Sequence, residues 1–307
     1  MSITENSGIY FFTDSKCLGR DGASCVASSG TLSQDYILNF NKAFVWQSSG
    51  SDDTTTETLT ITFPSTQTIN SLFLINHNFK KFKITYNSGN NFTNVKTANI
   101  YDIGAFADED GAIFTDNDSN YFTDGEDDFS TTTQEIYFED YNKNTAYFEF
   151  DSVSVSTIEI TIYTTQTADA EKTLNIFSAQ EIIGNFSNSG LDQNNPNINY
   201  NEKQYNNILN KPFIRKGIET FSCSIRVPYA FTQADVDLIE TLQDREEPFM
   251  VWLCGGKQGN NYFRVNAKPY RLEDVYRVQN VRNSSPSFNQ NIYVTGYNNS
   301  LNVVEVA

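Results

Sequence analysis

Thr58-Leu59-Thr60-Ile61-Thr62-Phe63 alternates hydroxyl-bearing and apolar side chains without a break. In an extended chain successive side chains point to opposite faces, so Leu59, Ile61 and Phe63 share one face and the three threonines the other. A strand with one dry face and one wet face belongs in an antiparallel sheet, and that sets the reading of the chain as β. Lys81-Phe82-Lys83-Ile84-Thr85-Tyr86 repeats the pattern with Phe82, Ile84 and Tyr86 inward, and further strands are expected over 69–75, 134–138, 146–150, 157–163 and 174–183. Pro64 has no amide hydrogen to give to a ladder and is expected to end the first strand. Turn residues separate these segments and helical periodicity is missing, so the first part of the chain is expected to be an antiparallel β-sandwich.

The composition agrees with this reading and divides the chain. Of 307 residues 38% are apolar and 19% charged, with 24 Phe and 17 Tyr, a mixture that suits strands between polar turns. The formal net charge is −17, and residues 1 to 184 hold 9 Lys/Arg against 26 Asp/Glu, whereas 185 to 307 hold 12 of each. A surface so acidic repels phosphate backbones and anionic lipid, so neither nucleic-acid nor membrane partners are expected. Met1-Ser2-Ile3-Thr4-Glu5 lacks the basic and apolar regions of a signal peptide, and no 18-residue apolar run occurs, so export and membrane spanning are not expected.

The charge break coincides with Asn-rich sequence over 185–211, read as a linker or arm between domains of 1–184 and 212–307. The second domain is expected to be a smaller antiparallel sheet with one helix. Its strands are expected over 218–227, 249–254, 262–266, 270–278 and 291–297. Thr232 is placed as the helix N-cap with Asp235 completing a capping-box-like pair, and Leu238, Ile239 and Leu242 make the buried stripe. Pro248 prevents continuation, and Phe249 to Cys254 is an unbroken apolar run suited to a strand buried on both faces.

The chemistry on offer is sparse. His77 is the only histidine, and its reading is structural, because no nucleophile elbow accompanies it. Paired carboxylates for glycoside hydrolysis are recognised by separation in space, and the sequence does not single out a pair. Gly255-Gly256-Lys257-Gln258-Gly259 lacks the spacing of a phosphate loop and reads as a hairpin turn. Cys17, Cys25, Cys223 and Cys254 form no Cys-x-x-Cys pair, so free or buried thiols are expected, with a Cys17–Cys25 loop as the alternative in an oxidising compartment. No cofactor is expected apart from calcium. Ten acids and no base lie between Asp102 and Asp128, an excursion from the sandwich. Within it Asp116, Asp118, Asn120, Asp124 and Asp127 resemble the order of an EF-hand loop, although Tyr121 stands where glycine is needed and Asp127 replaces the bidentate Glu. A solvated acidic loop is the other reading.

Phe44-Val45-Trp46-Gln47-Ser48-Ser49-Gly50, the strand 58–63, Ile69-Asn70-Ser71-Leu72-Phe73-Leu74-Ile75 and a closing strand ending in Ile182-Ile183-Gly184 follow the order of a known family. Together they resemble a discoidin or galactose-binding-like β-sandwich of the coagulation-factor type C kind, over roughly residues 20 to 184. The acidic insertion departs from the family pattern. So does the lack of an end-joining disulfide, no cysteine lying between 26 and 222. A discoidin-like domain followed by a strand, a capped helix and the run from Pro248 to Gly256 resembles structural proteins of tailed-bacteriophage tail tips and baseplates. That resemblance implies a non-enzymatic virion protein, assembled in the host cytoplasm as a homo-oligomer with other tail proteins. A carbohydrate-binding module is the alternative, with Tyr36, Trp46, Asp52 and Asp53 near the loop end of the sandwich as its glycan contacts. A polysaccharide hydrolase is the third reading.

Overall fold

The computed structural model describes residues 10–30, 34–41, 44–50, 52–97, 135–185, 195–200, 203–206, 212–215, 219–226, 233–252, 275–280 and 300–305. Its strands in chain order begin with β1 (Tyr10–Thr13), β2 (Ser24–Ala27), β3 (Trp46–Gln47), β4 (Glu57–His77), β5 (Phe79–Tyr86) and β6 (Lys96–Thr97). Next come β7 (Ile136–Phe138), β8 (Thr145–Thr165), β9 (Thr173–Gln180), β10 (Ile182–Asn185), β11 (Asn195–Tyr200) and β12 (Lys203–Asn206). The last are β13 (Pro212–Arg215), β14 (Glu219–Arg226), β15 (Phe249–Trp252), β16 (Val275–Asn280) and β17 (Ser300–Glu305), with one α-helix, α1 (Gln233–Gln243), between β14 and β15. The described chain is thus mainly β with one helix, as expected, and every strand pairing is antiparallel. It divides into two compact units, one built on Lys16–Glu181 and the other combining the strand β1 with strands from β10 onward.

In the first unit the 21-residue strands β4 and β8 run side by side and change neighbours halfway. The first half of β4 pairs with β2, and the matching half of β8 pairs with β5, which carries β7. The second half of β4 pairs with β9, which carries β3, while the matching part of β8 pairs with β6. These are the two layers of a sandwich, and one core takes side chains from both halves of β4: Leu59, Ile61 and Phe63, then Leu72 and Leu74. The inward positions change from odd to even numbers because the β4–β8 register shifts between Ile69 and Ser71.

Pro64 corrects an expectation. It does not end the strand; β4 runs through it, and the ladder to β8 lapses between Thr62 and Gln67. A missing amide hydrogen removes a ladder bond, and here it does so at the bend where β4 leaves one layer for the other. At the margin of the first layer, the Cys25 amide donates to Asp35 Oδ1 at 3.2 Å, so a carboxylate occupies a donor on strand β2.

In the second unit seven strands lie in the order β10-β1-β15-β16-β17-β14-β11, and β12 pairs with β13 apart from them. All four residues of Phe249–Trp252 are buried, as the apolar run suggested. Helix α1 buries Leu242, and a Cβ added to Gly184 of β10 would lie 3.1 Å from Leu238 Cδ1, so the aliphatic pair ends in glycine where a helix side chain packs tightly on the strand. Thr232, placed as the cap, lies outside the described residues, as do the side chains of Asp235 and Ile239. Strands β11 and β12 occupy part of the stretch read as a linker.

Candidate functional site

A short 3-10 turn over Gln34–Leu38 buries Ile37 and Leu38 in the sandwich core and leaves Tyr36 half-buried. Its ring lies 4.7 Å from that of Phe44 with 30° between the planes. Phe44 is 44% exposed, the one exposed aromatic among the residues whose side chains are described. Its position is fixed through its backbone. The Phe44 amide donates to Asn41 O at 3.2 Å, and its carbonyl accepts a hydrogen bond from Asn175 Nδ2. Asn175 is buried on β9, and its Oδ1 accepts from Asn76 Nδ2 at 3.3 Å. Asn76 is exposed near the end of β4 at φ 54°, a left-handed conformation that asparagine adopts more readily than most residues. A chain of neutral amides therefore runs from the surface to the backbone of an exposed ring, with the exposed Asn39 donating to Asp35 O at 3.2 Å beside it.

The sequence-proposed glycan contacts fall into different roles. Tyr36 belongs to the aromatic pair. Trp46 does not: it is fully buried in the core on β3, with Nε1 donating to Ser29 O at 3.2 Å, so neither face of its indole is open to a sugar. Asp52 is exposed but accepts from the Thr54 amide and hydroxyl, both at 2.7 Å, and these bonds hold its carboxyl below the usual range. Asp53 accepts from the Thr165 amide at 3.0 Å and the Asp169 amide at 3.1 Å, and its own amide donates to Asp169 Oδ1. Lys172 is buried and donates from Nζ to Asp52 O at 3.1 Å. The two acids thus bind the 52–55 and 165–172 loops to each other. Phe44 was the residue missed. It heads the segment used to place the sandwich, but nothing in the sequence separates an exposed phenylalanine from a core one.

Asp116, Asp118, Asn120, Asp124 and Asp127 lie outside the described residues. Among the described residues no group of three or more His, Cys, Asp or Glu side chains is placed to hold a metal ion. Cys17 and Cys25 are buried thiols with no disulfide between them, and burial, with Asp35 and Cys17 adding to it, pushes the Cys25 thiol up to about 12. A thiol so reluctant to ionise is a poor nucleophile.

His77 is sealed in the core at 2% exposure. Its Nδ1 accepts from the Phe79 amide at 3.1 Å, and the rings of Phe79, Phe82 and Tyr141 surround it at 5.0, 5.7 and 5.4 Å. Nε2 is buried with no hydrogen-bond partner among the described residues, and burial pushes the imidazole down to about 3. It cannot reach a substrate. It does make stability depend on pH, because between about 3 and 6.5 the unfolded chain binds a proton that the folded chain refuses, so stability falls as pH falls below 6.5. The expected loss between pH 7.5 and pH 5.0 is about 2 kcal/mol, read by urea unfolding at each pH. With one histidine in the chain, His77→Phe is expected to flatten that interval; an equal slope in the variant would show that His77 is not its source.

No protein-family model matches the chain, and no curated protein matches it. Among solved structures the chain is similar to a point mutant of chitosan-binding module 1 from a chitosanase/glucanase of Paenibacillus sp. IK-5, at 10% identity and TM-score 0.35, over 55% of this chain and 98% of that one. Chitosan-binding module 2 of the same enzyme, in complex with chitotriose, aligns at 14% identity and TM-score 0.32 over 53% and 97%. The family 32 carbohydrate-binding module of NanJ from C. perfringens, in complex with galactose, aligns at 12% identity and TM-score 0.33 over 55% and 98%.

Proposed function

We propose that the first unit binds a glycan without transforming it, with Tyr36 and Phe44 as its stacking platform. The observation that carries this reading is the exposed, backbone-anchored ring pair. Sugars present C–H faces that pack on aromatic faces and hydroxyl groups that hydrogen-bond to amides, and the platform has both kinds of group beside it. The hydrogen bonds that hold the Phe44 backbone limit the ordering cost of binding. Assembly into a phage tail, with oligomerisation and tail partners, was expected from the order of sequence elements; the described geometry adds no support to it, and glycan binding becomes the main reading.

The test is a broad glycan array followed by calorimetric titration of the best ligand. Phe44→Ala and Tyr36→Ala are each expected to weaken binding roughly tenfold, about 1.4 kcal/mol, the scale of one aromatic contact. Val26→Ala is expected to leave binding unchanged; Val26 is 64% exposed on β2, whereas Tyr36 lies on the 3-10 turn and Phe44 ahead of β3. Unaltered binding in both aromatic variants would remove the platform from the site. Running the titration with and without calcium tests the reading of the acidic segment, since calcium-insensitive binding would separate that segment from glycan recognition.

A further inference from the structure

We infer that the Tyr36–Phe44 site selects glycans by charge, taking amino-bearing and neutral ones and rejecting uronic, sialylated or sulfated ones; this rests on the glycan-binding reading above. The sequence places 26 acids against 9 bases in residues 1 to 184. The structure shows the side-chain partners of seven of these bases. Lys16, Arg20, Lys80, Lys81, Lys83 and Lys96 each lie within 4 Å of a carboxylate, at 3.0 to 3.6 Å. Lys172 is 2% exposed and turned to the Asp52 carbonyl. These pairs leave the described residues of the first unit with more carboxylates than bases to balance them.

The sequence that supplies the platform is itself acidic. Residues 21 to 79, which supply Tyr36, Phe44 and Asn76, contain five acids and the single base Lys42. Asp35 immediately precedes Tyr36 and is exposed, with Oδ1 accepting from the Cys25 amide. The groups that fix the platform, Asn41, Asn76 and Asn175, are uncharged, so nothing described there is built to bind a sugar carboxylate or sulfate. A summed field of one sign raises the local concentration of opposite charge and excludes like charge, and it weakens as salt shortens the Debye length to about 10 Å at 0.1 M.

The experiment uses the full chain on an array of neutral, amine-bearing and acidic glycans at 20 and 300 mM NaCl. The best neutral ligand is then titrated beside derivatives carrying an amine or a carboxylate at one shared position. At 20 mM the amine form is expected to bind about tenfold more tightly than the carboxylate form, with the gap closing to about twofold at 300 mM. Asp35→Asn is expected to narrow the low-salt gap and leave the neutral ligand's affinity unchanged. An acidic derivative that binds at 20 mM as tightly as its neutral parent overturns the inference while leaving glycan binding in place. An array with no bound glycan at either salt overturns the glycan reading and the inference with it.

Discussion

Trp46→Ala is expected to destabilise the first unit by about 3–5 kcal/mol, the range for deleting a large buried aromatic. Trp46 is fully buried beside the sandwich core, and its indole N–H is taken by Ser29 O, so the substitution leaves a cavity and an unpaired carbonyl together. Trp46→Phe keeps most of the volume and loses the hydrogen bond, for an expected cost of about 1–2 kcal/mol. Phe44→Ala, two residues earlier in the sequence, removes an exposed ring and is expected to cost under about 1 kcal/mol. Urea unfolding of the three variants reads all of these. The pair of aromatics thereby separates the two roles a loop aromatic can have: Trp46 should control stability, Phe44 binding. A Trp46→Ala variant that unfolds like the wild type yet no longer binds glycan would return the indole to the ligand and sink the core assignment.

The strands whose own alternation defines two faces were legible before the structure. Leu59, Ile61 and Phe63 point inward as the pattern required, and Phe82 and Ile84 do the same on β5. What the pattern could not show was which strand lies next to which. The segments 146–150 and 157–163 read as two strands and are one, β8, because the polar residues between them stay extended as the strand crosses from one layer to the other. The stretch 174–183 read as one strand and is two, with β9 paired to β4 and the following β10 paired to β1. Tyr10-Phe11-Phe12 shows no alternation of apolar and polar residues, yet it is buried between strands about 170 and 240 residues away along the chain, a pairing set by tertiary contacts alone. The described strand β17 was not anticipated, and the strands expected over 262–266 and 291–297 lie outside the described residues.

The candidate site was legible only in its neighbourhood. Tyr36, Asp52 and Asp53 were chosen because they flank the Trp46 segment, and the structure sends them to different tasks: one ring to the surface pair, one carboxylate to close its own turn and one to hold two loops together. An aspartate that caps a turn and one that would bind a sugar hydroxyl have the same sequence surroundings, since both need a short polar loop. Exposure decides between Phe44 and Trp46, and exposure depends on whether the opposite layer of the sandwich covers the side chain. That information lies in β9 and in the 3-10 turn, not in the segment from Phe44 to Gly50.

Asp14→Ala is expected to cost the second unit about 3–5 kcal/mol, and Arg277→Met distinctly less. Arg277 is a 2% exposed guanidinium on β16 that donates from Nε to Asp14 Oδ1 at 2.8 Å and from Nη2 to Asp14 Oδ2 at 2.7 Å. This two-point fit holds the residue after β1 against a strand 263 residues further along the chain. The two partners are not equivalent. Without Asp14 the arginine remains charged and buried with its two-point carboxylate partner gone, and Arg does not neutralise itself by losing a proton. Without Arg277 the carboxylate, 20% exposed, can take up water and still accepts from the Ser15 amide at 2.9 Å. Methionine fills much of the guanidinium's stem volume, so Arg277→Met is expected to cost about 1–2 kcal/mol, and Asp14→Ala combined with Arg277→Met less than Asp14→Ala alone. Urea unfolding followed by Trp252 fluorescence in a Trp46→Phe background reports on the second unit, because Trp252 is then the only tryptophan left. Equal costs for the two single variants, or costs that simply add in the double variant, would mean that the pair stabilises by packing and that the buried charge is not what Asp14 answers.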